Sequence, residues 1–339
     1  MIKLRAAIVG CGAIYGNHAE ALTKYENVEL ASVCDINEEK AAKAADKYKC
    51  KYYTDYNEML KNEELDVVHI CTPHYLHASM SILAMKSGKH VLTEKPMAIS
   101  ILDAQEMIKV SKDTGKRLGV CFQNRFNATS VRIKEVIESG EVGSVIGAKG
   151  FVTWHRDAPY YTNSEWRGSW ETEGGGVLIN QSIHTLDLLQ WFLGDINNIK
   201  GSTDTRLLED AIEVEDTAEA TIKFNTGASA IFYATNCYAI DSPVEIEIIC
   251  EKAVLRLTED LTISYKNGEI EHTTDADKAT GEKSYWGSSH KLLINDFYKK
   301  LIAGIDFSID GEQGITAIQM IHAIYTSENK KQYVKLSLI

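Results

Sequence analysis

The stretch Ala6–Leu22, AAIVGCGAIYGNHAEAL, decides the fold. An apolar run leads into Gly10 and Gly12, and a helix-like pattern follows at once through Ala13 and Ile14. Glycine permits a tight turn at such a junction and lets the backbone approach a pyrophosphate. The helix mouth behind it offers N–H groups and partial positive charge. The usual spacing would put a third glycine at position 15; here that residue is Tyr15 and the glycine is Gly16. A lone G-x-G is also what an ordinary strand-to-helix turn looks like, so the surroundings have to decide.

Working outward, apolar strand-like runs occur at Leu4–Val9, Val28–Cys34, Val67–Cys71, His90–Thr93 and Leu118–Phe122. Helical segments lie between them at Ala13–Tyr25, Asn37–Tyr48, Leu76–Ser87 and Ser100–Thr114. This alternation predicts a parallel sheet covered on both faces, with right-handed crossovers, over residues 1–124: an α/β Rossmann dinucleotide-binding domain. Asp35 ends the second run, about twenty residues beyond the glycines, where a carboxylate binds a ribose 2′-hydroxyl. No Arg or Lys immediately follows Asp35 to hold a 2′-phosphate, which favours NAD over NADP. Asp35 could equally belong to the cap of the next helix. Ligands of such sheets sit at the carboxyl ends of the strands. That adds Thr72, Pro73, His77, Glu94, Lys95 and Asn124 to Gly10, Gly12, Ala13, Ile14 and Asp35 as cofactor-binding candidates.

After about Asn124 the texture changes. VGSVIGAKGFVTWH reads as a long strand, and alternating segments such as TAEATIKF, ASAIFYATN, VEIEIIC, AVLRLT and LTISYK follow from Ile199 onward. Asn225-Thr226-Gly227 and Lys266-Asn267-Gly268 supply turns between them. Residues 125–339 are therefore expected to form an α+β domain with a large, mainly antiparallel open sheet. Helices at His290–Ala303 and Gln313–Ser327 finish the chain, and the C-terminal helix is expected to pack back on the first domain.

Bulk properties narrow the function. A length of 339 residues suits two domains. A net charge of −12 argues against nucleic acid or an anionic membrane as partner. No apolar run is long enough to span a bilayer. The opening MIKLRAAIVG enters a strand directly, without the pattern of a signal peptide. Seven scattered cysteines without a CxxC pair suit reduced thiols, and the expected compartment is the cytoplasm. His74 and His77 are three apart but have no third ligand nearby, so no metal is expected.

Asn180, His184 and Asp187 stand at i, i+4 and i+7 in an otherwise apolar segment, a spacing that predicts one helix face. A polar stripe on a buried helix needs partners or a ligand. The plain alternative is a core histidine bonded to Asp187. Just before it, TWHRDAPYYTNSEWRGSWETEGGG crowds Trp154, Arg156, Trp166 and Arg167 into an irregular loop. Such a loop could stack on a polyhydroxylated ring, bind an acidic substituent, or simply fill a gap. Weaker candidates are Arg125, Tyr285, Trp286 and His290.

Together, Gly10-Cys11-Gly12 with His18, CTPHYLH at Cys71–His77, Glu94-Lys95-Pro96, and GGGVLINQSIHTLDLLQWFLG at Gly174–Gly194 resemble the glucose–fructose oxidoreductase / inositol dehydrogenase (Gfo/Idh/MocA) family. The resemblance implies an NAD-dependent oxidoreductase acting on a secondary alcohol or ketone of a sugar, cyclitol or sugar derivative. It also implies a homodimer or homotetramer built through the C-terminal sheet. Carried over, Lys95 is associated with catalysis and His184 with acid/base work; chemically, a Lys95 cation would stabilise the developing alkoxide and Asp187 would orient the imidazole. Lys95, His184, Asn180, Trp154, Arg156, Trp166 and Arg167 would then surround the substrate. Many relatives carry an aspartate where this chain has Asn180. An amide can hold a hydroxyl but cannot take its proton. Two other readings stay open: an NAD-retaining glycosidase- or lyase-like enzyme, and a non-catalytic dinucleotide-binding regulator.

Overall fold

The computed structural model describes residues 3–275 and 289–336, so Tyr285 and Trp286 lie outside the described residues. The chain divides into two compact units. One holds the chain up to Gln123 together with Ser289–Ile315; the other holds the rest of the described residues.

The first unit opens β1 (Leu4–Val9), α1 (Tyr15–Thr23), β2 (Val28–Cys34), α2 (Glu38–Tyr48), β3 (Lys51–Tyr53) and α3 (Tyr56–Asn62). It continues β4 (Val67–Ile70), α4 (His77–Lys86), β5 (His90–Thr93), α5 (Ile101–Thr114) and β6 (Leu118–Val120). The sheet runs β3-β2-β1-β4-β5-β6, every neighbouring pair parallel. This is the doubly wound order, with its crevice where strand order reverses beside β1. The central strand β4 is buried throughout, as a strand covered on both faces must be. Side chains of Asn37, Asp55 and Ser100 accept from backbone N–H groups at the starts of α2, α3 and α5, so their sequences fix where these helices begin. The β3–α3 excursion escaped the sequence reading because Lys51-Tyr52-Tyr53 is a short, largely exposed edge strand with no apolar run.

The second unit opens α6 (Ala128–Glu138), β7 (Val145–Thr153), α7 (Ala158–Thr162) and α8 (Ile183–Leu193). Then come β8 (Ile196–Asp204), β9 (Thr217–Phe224), β10 (Ser229–Thr235), β11 (Glu245–Cys250), β12 (Ala253–Leu257), β13 (Leu261–Tyr265) and β14 (Ile270–Thr273). Three elements complete the chain. Helix α9 (His290–Ala303) belongs to the first unit, α10 (Gly311–Lys330) passes from the first unit to the second, and β15 (Val334–Lys335) is the last strand. The second sheet has nine strands in the order β14-β13-β12-β11-β7-β10-β9-β8-β15. All its pairs are antiparallel except β7 with β10. Strict alternation buries Ala230, Phe232 and Ala234 of β10 while Ser229 and Ile231 stay exposed, the signature of a sheet with one face covered. Helix α8 packs on β7.

Candidate functional site

In the first unit the turn after β1 has one residue that must be glycine. Gly10 adopts φ +92°, and a Cβ there would lie 2.5 Å from the Cys71 carbonyl oxygen. Gly12 and Ala13 are exposed beside it, with Ile14 half-buried at the N-terminus of α1. No side chain caps that terminus, and no acidic residue sits in its first turn. The N-terminus of α1 is thus open to an anion, as a pyrophosphate requires. Asp35 closes β2 and reaches into the same turn. Its Oδ2 accepts from the Cys11 N–H at 2.7 Å and its Oδ1 from the Asn37 N–H at 2.8 Å. The helix cap proper is Asn37, so Asp35 is a fixed carboxylate with lone pairs left for ribose hydroxyls. These residues fit a dinucleotide.

Thr72 and Pro73 follow β4, and Glu94-Lys95-Pro96 follows β5, with a cis Lys95–Pro96 peptide. His77 joins the two segments: Nδ1 faces the Pro96 carbonyl at 2.6 Å and Nε2 the Thr72 carbonyl at 2.8 Å. The ring is buried, and burial holds its pKa below the usual histidine range although both carbonyls favour the charged form. Its nitrogens are committed to the chain, so the expectation that His77 touches the cofactor gives way to one in which it braces the strand ends.

Beneath Lys95 lies a buried polar chain whose proton positions follow from chemistry. Glu94 is buried; burial disfavours its charge, but the hydrogen bond from His18 and the neighbouring His290 ring outweigh that and hold its pKa well below the carboxylate range. An ionised carboxylate only accepts, so His18 Nε2 donates to Glu94 Oε1 at 2.9 Å. Neutral His18 must then accept at Nδ1, which makes His69 Nδ1 the donor at 2.7 Å. His69 accepts in turn at Nε2 from the Tyr298 hydroxyl at 2.8 Å. Burial lowers the pKa of both His18 and His69, consistent with neutral rings. Glu94 Oε2 accepts from the Lys95 N–H at 3.3 Å, so the chain ends on the backbone that carries Lys95. His290 Nε2 lies 3.4 Å from Glu94, placing this residue in the buried chain. Among the described residues, ligand-capable atoms of His18, Glu94 and Cys121 come within 4.8 Å of one another. Their hydrogen-bond roles account for that closeness.

In the second unit the expected single helix face is not formed. Helix α8 begins at Ile183, so it carries His184 and Asp187 while Asn180 stands in the turn before it. Glu215 gathers the turn before the helix: Oε1 accepts from the N–H groups of Gly176 and Leu178, each at 3.0 Å, and from the Tyr325 hydroxyl at 3.0 Å. The Asn180 N–H reaches the Gly176 carbonyl four residues back, but the Ser182 N–H reaches the Val177 carbonyl five back, and that step interrupts the helical ladder. His184 is half-buried. Asp187 is buried in a bidentate pair with buried Arg125: Nε to Oδ2 at 2.9 Å and Nη2 to Oδ1 at 2.6 Å. The reading of Asp187 as the group that orients His184 therefore yields to one in which it anchors Arg125. Arg125 immediately follows Asn124, which is half-buried.

The aromatic loop is ordered by its own contacts. Trp154 is buried and donates Nε1–H to the Ser242 carbonyl at 3.0 Å. Arg156 pairs with Asp241 at 2.8 Å and lies over the rings of Trp154 and Tyr160. Arg167 lies 4.5 Å above Tyr160 and 4.8 Å above Trp166. Sequence reasoning missed Glu173, which is wholly buried. It accepts from the Gly168 N–H at 2.6 Å through Oε2 and from Asn180 Nδ2 through Oε1. Its place directly before three glycines was the available signal.

The sequence profile of the oxidoreductase family with an NAD-binding Rossmann fold matches residues 4–122, and that of the GFO/IDH/MocA C-terminal domain matches residues 130–256. The chain belongs to the Gfo/Idh/MocA oxidoreductase family. Its first unit is the family's NAD-binding Rossmann domain. Among solved Gfo/Idh/MocA structures, the WlbA dehydrogenase of Bordetella pertussis, in complex with NADH and UDP-GlcNAcA, is 30% identical. It superposes with a TM-score of 0.86 over 98% of both chains. The D-glucoside 3-dehydrogenase of Escherichia coli is 26% identical over 98% of this chain and 97% of its own. Inositol 2-dehydrogenase of Salmonella typhimurium is 30% identical over 198 residues, so the match spans 56% of that protein's length.

Proposed function

We propose that this chain is an NAD-dependent oxidoreductase that moves a hydride between nicotinamide and a secondary alcohol or ketone of a sugar, cyclitol or sugar derivative. One observation carries the reading: Gly10–Gly12, Asp35, Thr72-Pro73 and Lys95 all follow the carboxyl ends of β1, β2, β4 and β5, neighbours on one sheet edge. NAD, when bound, supplies the two-electron acceptor. The N–H groups at the α1 terminus hold the pyrophosphate, and Asp35 accepts from the ribose hydroxyls. Lys95 places a cation against the developing alkoxide. His184 takes the hydroxyl proton, for which a reference pKa of about 6.5 is suited. Asn180 bonds a substrate hydroxyl, with Trp154, Arg156, Trp166 and Arg167 recognising the ring and its substituents.

Relatives aligned along nearly the whole chain include a glucoside dehydrogenase, a dehydrogenase bound to a nucleotide sugar acid and a myo-inositol 2-dehydrogenase, which supports a class that takes in sugars, sugar derivatives and cyclitols. The test is NADH formation on a panel of glucosides, free sugars, inositols and UDP-linked sugar acids. Turnover of any member supports the reading and names the substrate class, and no turnover of any member removes it.

The same reading includes a homo-oligomer formed by a second copy on the uncovered face of the nine-stranded sheet. Its support is the pair of exposed residues Ile231 (51% exposed) and Ile249 (44%) on β10 and β11, which flank the central strand β7. Light scattering on Ile231→Asp tests it: loss of the wild-type dimer or tetramer is expected, and an unchanged mass counts against this face. The seven free cysteines suit a reducing cytoplasm, which cell fractionation checks.

A further inference from the structure

We propose that Arg167 holds an anionic group of the substrate, a carboxylate or a phosphate, and so selects acidic sugar derivatives over neutral ones. This selectivity belongs to the substrate site of the dehydrogenase reading, on which it rests. Its geometry lies wholly within the second unit. Arg167 lies 4.5 Å over the Tyr160 ring and 4.8 Å over that of Trp166. Aromatic faces attract a guanidinium and fix its plane, but they take none of its N–H groups, which all point outward in that plane. The two rings thus orient a fork of donors without occupying it.

The charge on that fork is not matched within the protein. Arg167 Nε is buried and meets no acceptor among the described residues, although the residue as a whole is only half-buried. Burial pushes the neighbouring Glu173 up to about 7, and Arg167 offsets this only in part. A carboxyl that is half-protonated near neutrality does not cancel a full cation. Arg156 makes the contrast: it lies over the same Tyr160 ring at 5.4 Å, but its Nη1 stands 2.8 Å from an Asp241 carboxylate oxygen. One ring therefore faces two guanidinium groups, and a carboxylate answers one of them. The chain as a whole carries a net charge of −12, which repels anions at long range, so an acidic substrate needs a cation held locally. The fork is also tied to the turn that carries Asn180. Glu173 accepts from the N–H of Gly168, next to Arg167, and from Asn180 Nδ2. Gln181 Nε2 donates to the Tyr160 hydroxyl at 3.3 Å. An anion on Arg167 and a hydroxyl on Asn180 are then two ends of one substrate.

Calorimetric titration of the full chain with NADH present, where no alcohol is oxidised, compares glucuronate, glucose 6-phosphate and UDP-glucose with glucose. At least one anion should bind about 10- to 100-fold more tightly than glucose, the range of one bidentate, charge-assisted contact. The tightest of the three tells a carboxylate from a phosphate. Arg167→Gln should remove most of that preference. Arg167→Lys keeps the charge but loses the fork, and should retain only part of it. Arg156→Gln should lower it far less, because Asp241 already matches that charge. Equal binding of glucose and all three anions overturns the proposal. So does a preference that survives Arg167→Gln in full, or one that Arg156→Gln abolishes instead. Should Arg167→Gln not fold, an unchanged preference in Arg167→Lys overturns it alone. In turnover, the ratio of kcat/KM for the acidic over the neutral sugar should fall in Arg167→Gln by the factor seen in binding. Failure to oxidise any sugar would remove the dehydrogenase reading, while the titration still decides whether Arg167 holds an anion.

Discussion

Lys95 is worth separating from the scaffold that holds it. Its backbone is tied through Glu94 to His18, His69 and Tyr298, so trimming the side chain leaves that buried chain whole. Lys95→Ala should therefore lower kcat by about 100- to 1,000-fold, the cost of losing one preorganised charge. NADH binding, followed by fluorescence titration, should hardly change. Asp35→Ala should do the reverse. NAD affinity should fall about tenfold with the loss of a hydrogen-bonded ribose contact, and discrimination against NADP should relax; parallel titrations with both cofactors measure it. An unchanged preference would show that Asp35 serves the Cys11 and Asn37 N–H groups alone. The places of such residues at strand ends were legible because the apolar runs mark where β2 and β5 stop. Their partners were not. Glu94 finds His18 across 76 residues and Asp187 finds Arg125 across 62, separations at which nothing local in the sequence marks the pair.

Among the elements, the run Gly174-Gly175-Gly176 shows how close backbone approach dictates residue type ahead of a helix. A Cβ on Gly176 would overlap the Glu215 carbonyl oxygen, and the Val177 N–H donates to that same oxygen at 3.0 Å. Gly176→Ala should cost the second unit about 3 kcal/mol or more, since overpacking and a displaced buried carboxylate act together. A lower urea midpoint, read by tryptophan fluorescence, checks it, and wild-type stability would mean that the loop can shift freely. Element boundaries were readable where patterning alone sets them: Leu4–Val9, Val28–Cys34, His90–Thr93 and Thr217–Phe224 stand as the apolar runs and the alternation predict. They were not readable around Asn180, where helical spacing continues through a segment whose ladder is interrupted by the Ser182 N–H bonding to the Val177 carbonyl. Nor was all of β8 (Ile196–Asp204), because Asn197 and Asn198 interrupt its pattern.

At the scale of the whole molecule, the sequence shows that His290–Ala303 is a helix but not that it rejoins the unit built by the first third of the chain. That return places Tyr298 and His290 beside His69 and Glu94, and it concentrates buried histidines in the first unit. Burial lowers the pKa of His18, His69 and His77, and that of His90 to about 4. The second unit instead buries Glu173 and Glu215, each pushed up to about 7 by the same cause. The two sets have opposite consequences. A histidine with a depressed folded pKa contributes stability that is present above its unfolded value of about 6.5 and is lost as pH falls toward the folded value. A carboxyl with a raised folded pKa contributes stability that is full below its unfolded value of about 4.3 and is lost as pH rises through the folded value. Acidification from about pH 7.5 to about pH 5.5 should therefore loosen the first unit and tighten the second. Hydrogen exchange, corrected for the intrinsic rate at each pH, resolves the two by position. Amides of β1, β4 and β5 should lose protection while those of residues 168–182 hold or gain it. A uniform shift along the chain would mean that the units unfold as one body and that their buried charges offset each other within a single equilibrium.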